Sequence, residues 1–196
     1  MSGKRIGLFG GTFDPIHNGH LLAAEQAREQ AGLEEIWFLP AHIPPHKQRR
    51  DIATNGHRLR MVELAVMDHP FYKVCAIELE RPGPSYTYDT ICQLQAKYPE
   101  HHFSFIIGGD MVDILPKWHR FDELVERVRF IGLDRPGAQV DQEQMSAYVT
   151  FVEMPRWDLS SSLIRDKVNA GRSIRYLVPP AVEHYIKEHR LYESLG

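Results

Sequence analysis

Cysteine is scarce in this chain. Cys75 and Cys92 are the two cysteines among 196 residues, with neither a Cys-x-x-Cys spacing nor a histidine-paired metal pattern. They give no cysteine metal site and are expected to be reduced core residues. Long apolar runs are also missing, since none approaches the ~18 residues of a membrane span. No basic leader precedes an apolar stretch at the N-terminus, so the expectation is a cytoplasmic protein with no membrane partner. Nor is there a surplus of one charge: 23 basic against 26 acidic residues give a formal net charge of -3. That balance offers no broad positive face to nucleic acid, so any anion must be bound locally. Internal repeats, low-complexity tracts and dividing linkers are absent too. The expectation is one domain over residues 1–196, with residues 155–196 forming its C-terminal helical part and roughly 70% of the unfolded surface buried.

Strand-like runs alternate with helical spacing along the chain. The strands are expected at Arg5 to Phe9, Glu35 to Leu39, Tyr72 to Ile77, Phe103 to Ile107, Arg129 to Leu133 and Val149 to Met154. Apolar spacing near 3.6 predicts helices at about Gly19 to Gln30, His57 to Met67, Tyr88 to Lys97, Phe121 to Val128, Ser161 to Ala170 and Pro180 to Glu188. This order predicts an α/β fold, a Rossmann-like parallel sheet with helices on both faces and a small C-terminal helical portion. Residues between Leu39 and Asn55 read as a surface loop, with Pro40, Pro44, Pro45 and the basic Lys47, Arg49 and Arg50.

The first strand runs into Gly10-Gly11-Thr12-Phe13-Asp14-Pro15-Ile16-His17-Asn18-Gly19-His20 and then directly into a helical pattern. Neither Gly-x-Gly-x-x-Gly nor the Walker spacing is present. Gly10 and Gly11 allow a tight turn near a phosphate, Thr12 adds a hydroxyl, and the first helical turn aims free amides at the same point. His17 and His20, at the mouth of that helix, can donate to phosphate oxygens held there. Each residue alone would suit an ordinary turn, cap or solvated surface, but their joint occurrence within twelve residues reads as a nucleotide-phosphate site. A second anion cradle is expected where Ser160-Ser161-Ser162 precedes a helix and Arg165 follows one turn on. Asp110, after Gly108 and Gly109, ends a buried strand where a carboxylate can accept ribose hydroxyls. The turn Gly83 to Tyr86 leads into Thr87 and Tyr88 with helix amides free for a carboxylate.

Gly-Gly-Thr-Phe-Asp-Pro-x-His-x-Gly-His resembles the signature of the nucleotidylyltransferase superfamily. Within it, the whole chain is most similar to the bacterial nicotinate mononucleotide adenylyltransferases. The resemblance implies adenylyl transfer from ATP to nicotinate mononucleotide, giving nicotinate adenine dinucleotide and pyrophosphate, without a covalent intermediate. It implies His17, His20 and Arg165 as catalytic, and Gly10, Gly11, Thr12, Phe13, Gly108, Asp110, Ser161 and Ser162 as ATP-binding. Leu159 to Arg165 resembles the family's Ile-Ser-Ser-Thr-x-x-Arg motif, with Leu159 in the Ile position and Ser162 in the Thr position. On the acceptor side, it implies Lys47 for the mononucleotide phosphate, Thr87 and Tyr88 for the pyridine carboxylate and Trp118 as the plate on which the ring stacks. Arg135 is a further phosphate candidate. Many relatives carry Asn where this chain has Ala41. The implied cofactor is Mg²⁺ arriving with ATP, with no dedicated protein metal site. The sequence leaves open whether the chain is a monomer or a homo-oligomer. Other readings are phosphopantetheine adenylyltransferase, against which His17 argues, a cytidylyltransferase acting on a phospho-alcohol, and a non-catalytic dinucleotide sensor.

Overall fold

The computed structural model describes residues 3–42, 52–81, 83–134, 145–155 and 157–193. Strands β1 (Arg5–Gly11), β2 (Glu35–Pro40), β3 (Tyr72–Val74), β4 (His102–Gly108), β5 (Arg129–Asp134) and β6 (Val149–Glu153) form one sheet. Their order is β3-β2-β1-β4-β5-β6, and every pairing is parallel. Helices α1 (Asn18–Gln30), α2 (Asn55–Val66), α3 (Thr87–Lys97), α4 (Gly109–Val112), α5 (Phe121–Arg127), α6 (Ser161–Asn169) and α7 (Pro180–Glu188) connect and follow the strands.

Both faces of the sheet are apolar, as a parallel sheet covered on both sides requires. Strand alternation divides the side chains into two cores. Phe9, Ile36, Phe38, Ile106, Ile131 and Val152 pack with Ala24 of α1, Met61 of α2, Ile164 of α6 and Ile186 of α7. Ile6, Leu8, Trp37, Leu39, Phe105 and Phe130 pack with Ile91 and Leu94 of α3, Val112 of α4 and Leu124 of α5. The expected Rossmann-like α/β arrangement is therefore present. Residues 159–192 contribute to the first of these cores, through Leu159, Ile174, Val178 and Val182.

The expected third strand, Tyr72 to Ile77, is cut to Tyr72–Val74. The last rung is Cys75 N–H donating to Phe38 O at 2.9 Å. The next rung would need an N–H from Pro40, which has none, so the ladder stops and the chain turns, with Leu79 N–H bonded to Ala76 O. Helix α4 and a 3₁₀ turn at Leu115–Lys117 were not foreseen, being too short to show a periodic pattern. Cys75 and Cys92 are free and half-buried. Among the described residues, no helix is long and apolar enough to cross a membrane.

Strand order reverses between β1 and β4. At such a switch point the loops leave the two carboxyl ends in opposite directions and open a crevice. Gly10 and Gly11 end one of these strands and Gly108 the other.

Candidate active site

A cavity of about 640 Å³ opens at this crevice. Gly10, Thr12, His17, His20, Gly108, Asp110, Ser161, Ser162 and Arg165 line it, together with Asp14, Trp157 and Asp158. Residues expected from three separate stretches of sequence thus meet in one place.

His17 is the N-cap of α1, and the pair forms a reciprocal cap. His20 N–H donates to His17 Nδ1 at 3.3 Å, and His17 N–H donates to His20 Nδ1 at 3.2 Å. The rings stack with centroids 3.6 Å apart. Because Nδ1 of each ring accepts from backbone, the neutral ring carries its proton on Nε2. The cap therefore selects the tautomer in which Nε2 is the donor. Gly19 makes room for it: a Cβ there would stand 3.0 Å from His17 Nδ1. Phe13, at φ 50°, is buried, and its ring meets the His20 ring edge-on at 5.1 Å. Its side chain backs the histidine and does not line the cavity. Nor does Gly11, where a Cβ would meet the Phe13 ring at 2.8 Å.

Helix α6 closes the opposite wall. Ser160 caps it, accepting from Leu163 N–H, and Ser161 Oγ donates to Pro15 O at 2.9 Å. Arg165 donates to Asp14 O at 2.7 Å and to Ser162 Oγ at 3.0 Å. Asp14 Oδ1 in turn accepts from Tyr192 O–H at 2.7 Å and from Ala53 N–H at 3.2 Å. Burial, followed by the Asp14 carboxylate, pushes the Tyr192 hydroxyl well above its usual range, so it stays a donor. Thus Tyr192, α6 and the loop after β1 are held together through Asp14, by its carboxylate and its main-chain carbonyl.

Thr87, Tyr88 and Trp118 do not line this cavity. They belong to a second cluster of three segments. His42 N–H donates to Ser85 Oγ at 3.0 Å, the Tyr86 and His119 rings lie 4.6 Å apart, and the Arg120 guanidinium sits 3.9 Å above the Tyr88 ring. Thr87 begins α3, the Tyr88 ring is buried, and Trp118 packs edge-on against Phe105 and Phe130. Trp118 Nε1 is buried with no hydrogen-bond partner among the described residues. Phe105 joins the two clusters, because its ring occupies the space that a Cβ on Gly10 would fill. Lys47 and Arg135 lie outside the described residues.

Two buried charged side chains around these clusters were not foreseen. Arg58, only 1% exposed, bonds to the loops after β1 and β2. Its spacing with Met61 and Val62 was a signal, since all three fall on the buried face of α2. Glu78 accepts from Thr90 Oγ1 at 2.8 Å, and burial pushes its carboxyl above the usual range, opposed by hydrogen bonds from Thr90 and Ser85.

Among the described residues, no group of three His, Cys, Asp or Glu is placed to hold a metal ion. Asp14, Asp110 and Asp158 line the cavity without forming such a group.

Residues 8–167 match the cytidylyltransferase-like family, which defines the class: a nucleotidyltransferase on a parallel sheet. Over 191 residues the chain is 52% identical to a probable nicotinate-nucleotide adenylyltransferase of Bacillus pumilus, covering 97% of this chain and 100% of that protein. It is 47% identical, at the same coverage, to the nicotinate-nucleotide adenylyltransferase of Bacillus subtilis. The chain belongs to the nicotinate-nucleotide adenylyltransferase family. Its fold is also that of the Plasmodium falciparum nicotinic acid mononucleotide adenylyltransferase complexed with NaAD. That match has TM-score 0.80 and 22% identity, covering 96% of this chain and 97% of the other.

Proposed function

We propose that this chain transfers the adenylyl group of ATP to nicotinate mononucleotide, releasing pyrophosphate and nicotinate adenine dinucleotide. One observation carries the reading: the mutually capped His17 and His20 share a cavity with Arg165, at the sheet's switch point. The names of the near-full-length relatives support the acceptor.

A phosphate oxygen of the mononucleotide attacks the α-phosphorus of ATP in line. The bond from that phosphorus to the bridging oxygen breaks, and pyrophosphate leaves with the electron pair. A phosphate monoester has its second pKa near ~6, so near neutral pH the nucleophile is already largely dianionic and no general base is needed. His17 and His20 donate from Nε2 to α- and β-phosphate oxygens as charge redistributes in the transition state. Ser161, Ser162 and Arg165 hold the departing pyrophosphate, while Gly10, Thr12, Gly108 and Asp110 seat the rest of the nucleotide. Mg²⁺ would arrive held by the phosphate oxygens of ATP and would supply screening of the phosphate charge there. Thr87, the backbone of Tyr88, and Trp118 take the pyridine ring.

The test is coupled pyrophosphate release with ATP and Mg²⁺, comparing nicotinate mononucleotide, nicotinamide mononucleotide and phosphopantetheine at matched concentrations. Preference for the first is expected. Turnover only with phosphopantetheine would keep the phosphate site and overturn the acceptor. No turnover, with tight dinucleotide binding, would replace catalysis by sensing.

A further inference from the structure

Adenylyl transfer joins two molecules held in separate half-sites, so the distance between those half-sites matters as much as either one. The phosphate cavity hangs from the loop after β1, and the second cluster begins at the loop after β2. Arg58 touches both. Its Nη1 donates to Thr12 O at 2.7 Å, and its Nη2 donates to Ala41 O at 2.7 Å and His42 O at 3.3 Å. Its Nε donates to Ala53 O at 3.2 Å, and Nη2 also reaches Asn55 Oδ1 at 2.6 Å. The chain of contacts continues from His42, whose N–H donates to Ser85 Oγ two residues before Thr87.

We infer that Arg58 is a positioning residue, a buried planar fork that sets the separation of the nucleotide half-site from the mononucleotide half-site. This inference rests on the proposed adenylyl transfer. Arg58 does not line the cavity, so it acts through the loop carbonyls it grips. A guanidinium suits the task because its five N–H groups lie in one fixed plane and can hold several carbonyls at set spacing. Lysine keeps the charge but gathers three donors on a single rotating nitrogen, and so cannot span Thr12 O and Ala41 O in the same way. Reactions between two held groups are sensitive to displacements on the order of 1 Å, which cost about 10²-fold.

The geometry makes a thermodynamic prediction that needs no turnover. The dinucleotide product spans both half-sites, whereas ATP and nicotinate mononucleotide each bind one. By isothermal titration, Arg58→Lys should weaken nicotinate adenine dinucleotide at least tenfold while each single substrate stays within about threefold. In steady-state kinetics kcat should fall with both KM values nearly unchanged. Asn55→Ala removes one side-chain acceptor from the fork and should show the same pattern in smaller measure, which keeps the test available if Arg58→Lys does not fold. Arg60→Ala, two residues on and exposed in a pair with Glu63, is the control and should change nothing. Proportional weakening of all three ligands, or no change in dinucleotide affinity, would overturn the inference. Failure of the wild-type chain to bind the dinucleotide or to use nicotinate mononucleotide would instead overturn the proposed reaction, and the two failures are told apart by the wild-type control.

Discussion

At the scale of single residues, the two histidines of the His-x-Gly-His segment have a structural and a proposed chemical task on opposite ring nitrogens. Nδ1 closes the helix cap, and Nε2 is the proposed donor to phosphate. His20→Ala should therefore lower kcat on the order of 10²-fold or more, the scale for losing one transition-state donor. Steady-state rates at saturating substrate check this, and an unchanged kcat would remove His20 from the mechanism. Far from the cavity, Glu35 governs part of the acid stability. Burial pushes its carboxyl up, but hydrogen bonds from Lys4, Trp37 and Lys73 outweigh it and bring the pKa from 4.5 down to about 2. A depressed folded pKa means that the unfolded chain binds the proton first, so the stabilisation is complete above pH 4.5 and is lost as pH falls through about 2. Urea unfolding of wild type and Glu35→Gln should show the wild type ahead near pH 7 and the gap closing across that window. A gap independent of pH would contradict the assignment.

At the scale of elements, the start of α1 is where sequence and geometry meet most tightly. Gly19 is there because a side chain would press on the His17 ring. Gly19→Ala favours the helix by propensity, yet it should lower kcat severalfold with little change in melting temperature, read by kinetics beside a thermal melt. Loss of stability without loss of rate would refute that account. The β1–turn–α1 unit was legible in the sequence because its parts are local: an apolar run, paired glycines, then histidines at the helix mouth. The same holds for Ser160 to Arg165. The end of β3 was not legible, since it depends on Pro40 of a different strand failing to supply the next rung. Spacing with Met61 and Val62 signalled that Arg58 is buried, but not what it grips, because its carbonyl acceptors lie up to 46 residues away.

At the scale of the whole molecule, Tyr192 reaches back 178 positions to Asp14. If the chain folds as one cooperative unit, Tyr192→Phe should shift a single calorimetric transition. Removing a buried hydroxyl from a buried carboxylate costs about 1–3 kcal/mol. For a chain of this size that corresponds to about 2–4 °C in melting temperature per kcal/mol. A second transition, released from the first, would instead mark residues 155–196 as a separate unit. The same residue holds the proposed pyrophosphate contact, because Asp14 O accepts from Arg165.

By itself the sequence determined the α/β class, most strand and helix positions, and two stretches, with their histidines, serines and arginine, that the structure brings to one cavity. These follow from short-range chemistry: side-chain periodicity, turn residues and free helix amides act within a few positions. Only the tertiary structure decided the strand order that opens the crevice, the meeting of His17, His20 and Arg165 in one cavity, and the separation of Trp118 and Thr87 into a second cluster. It also decided that Arg58 lies between the two. Those outcomes depend on which strands pair and which carbonyls face a buried guanidinium, contacts made by residues distant in the chain and brought together by packing both faces of the sheet.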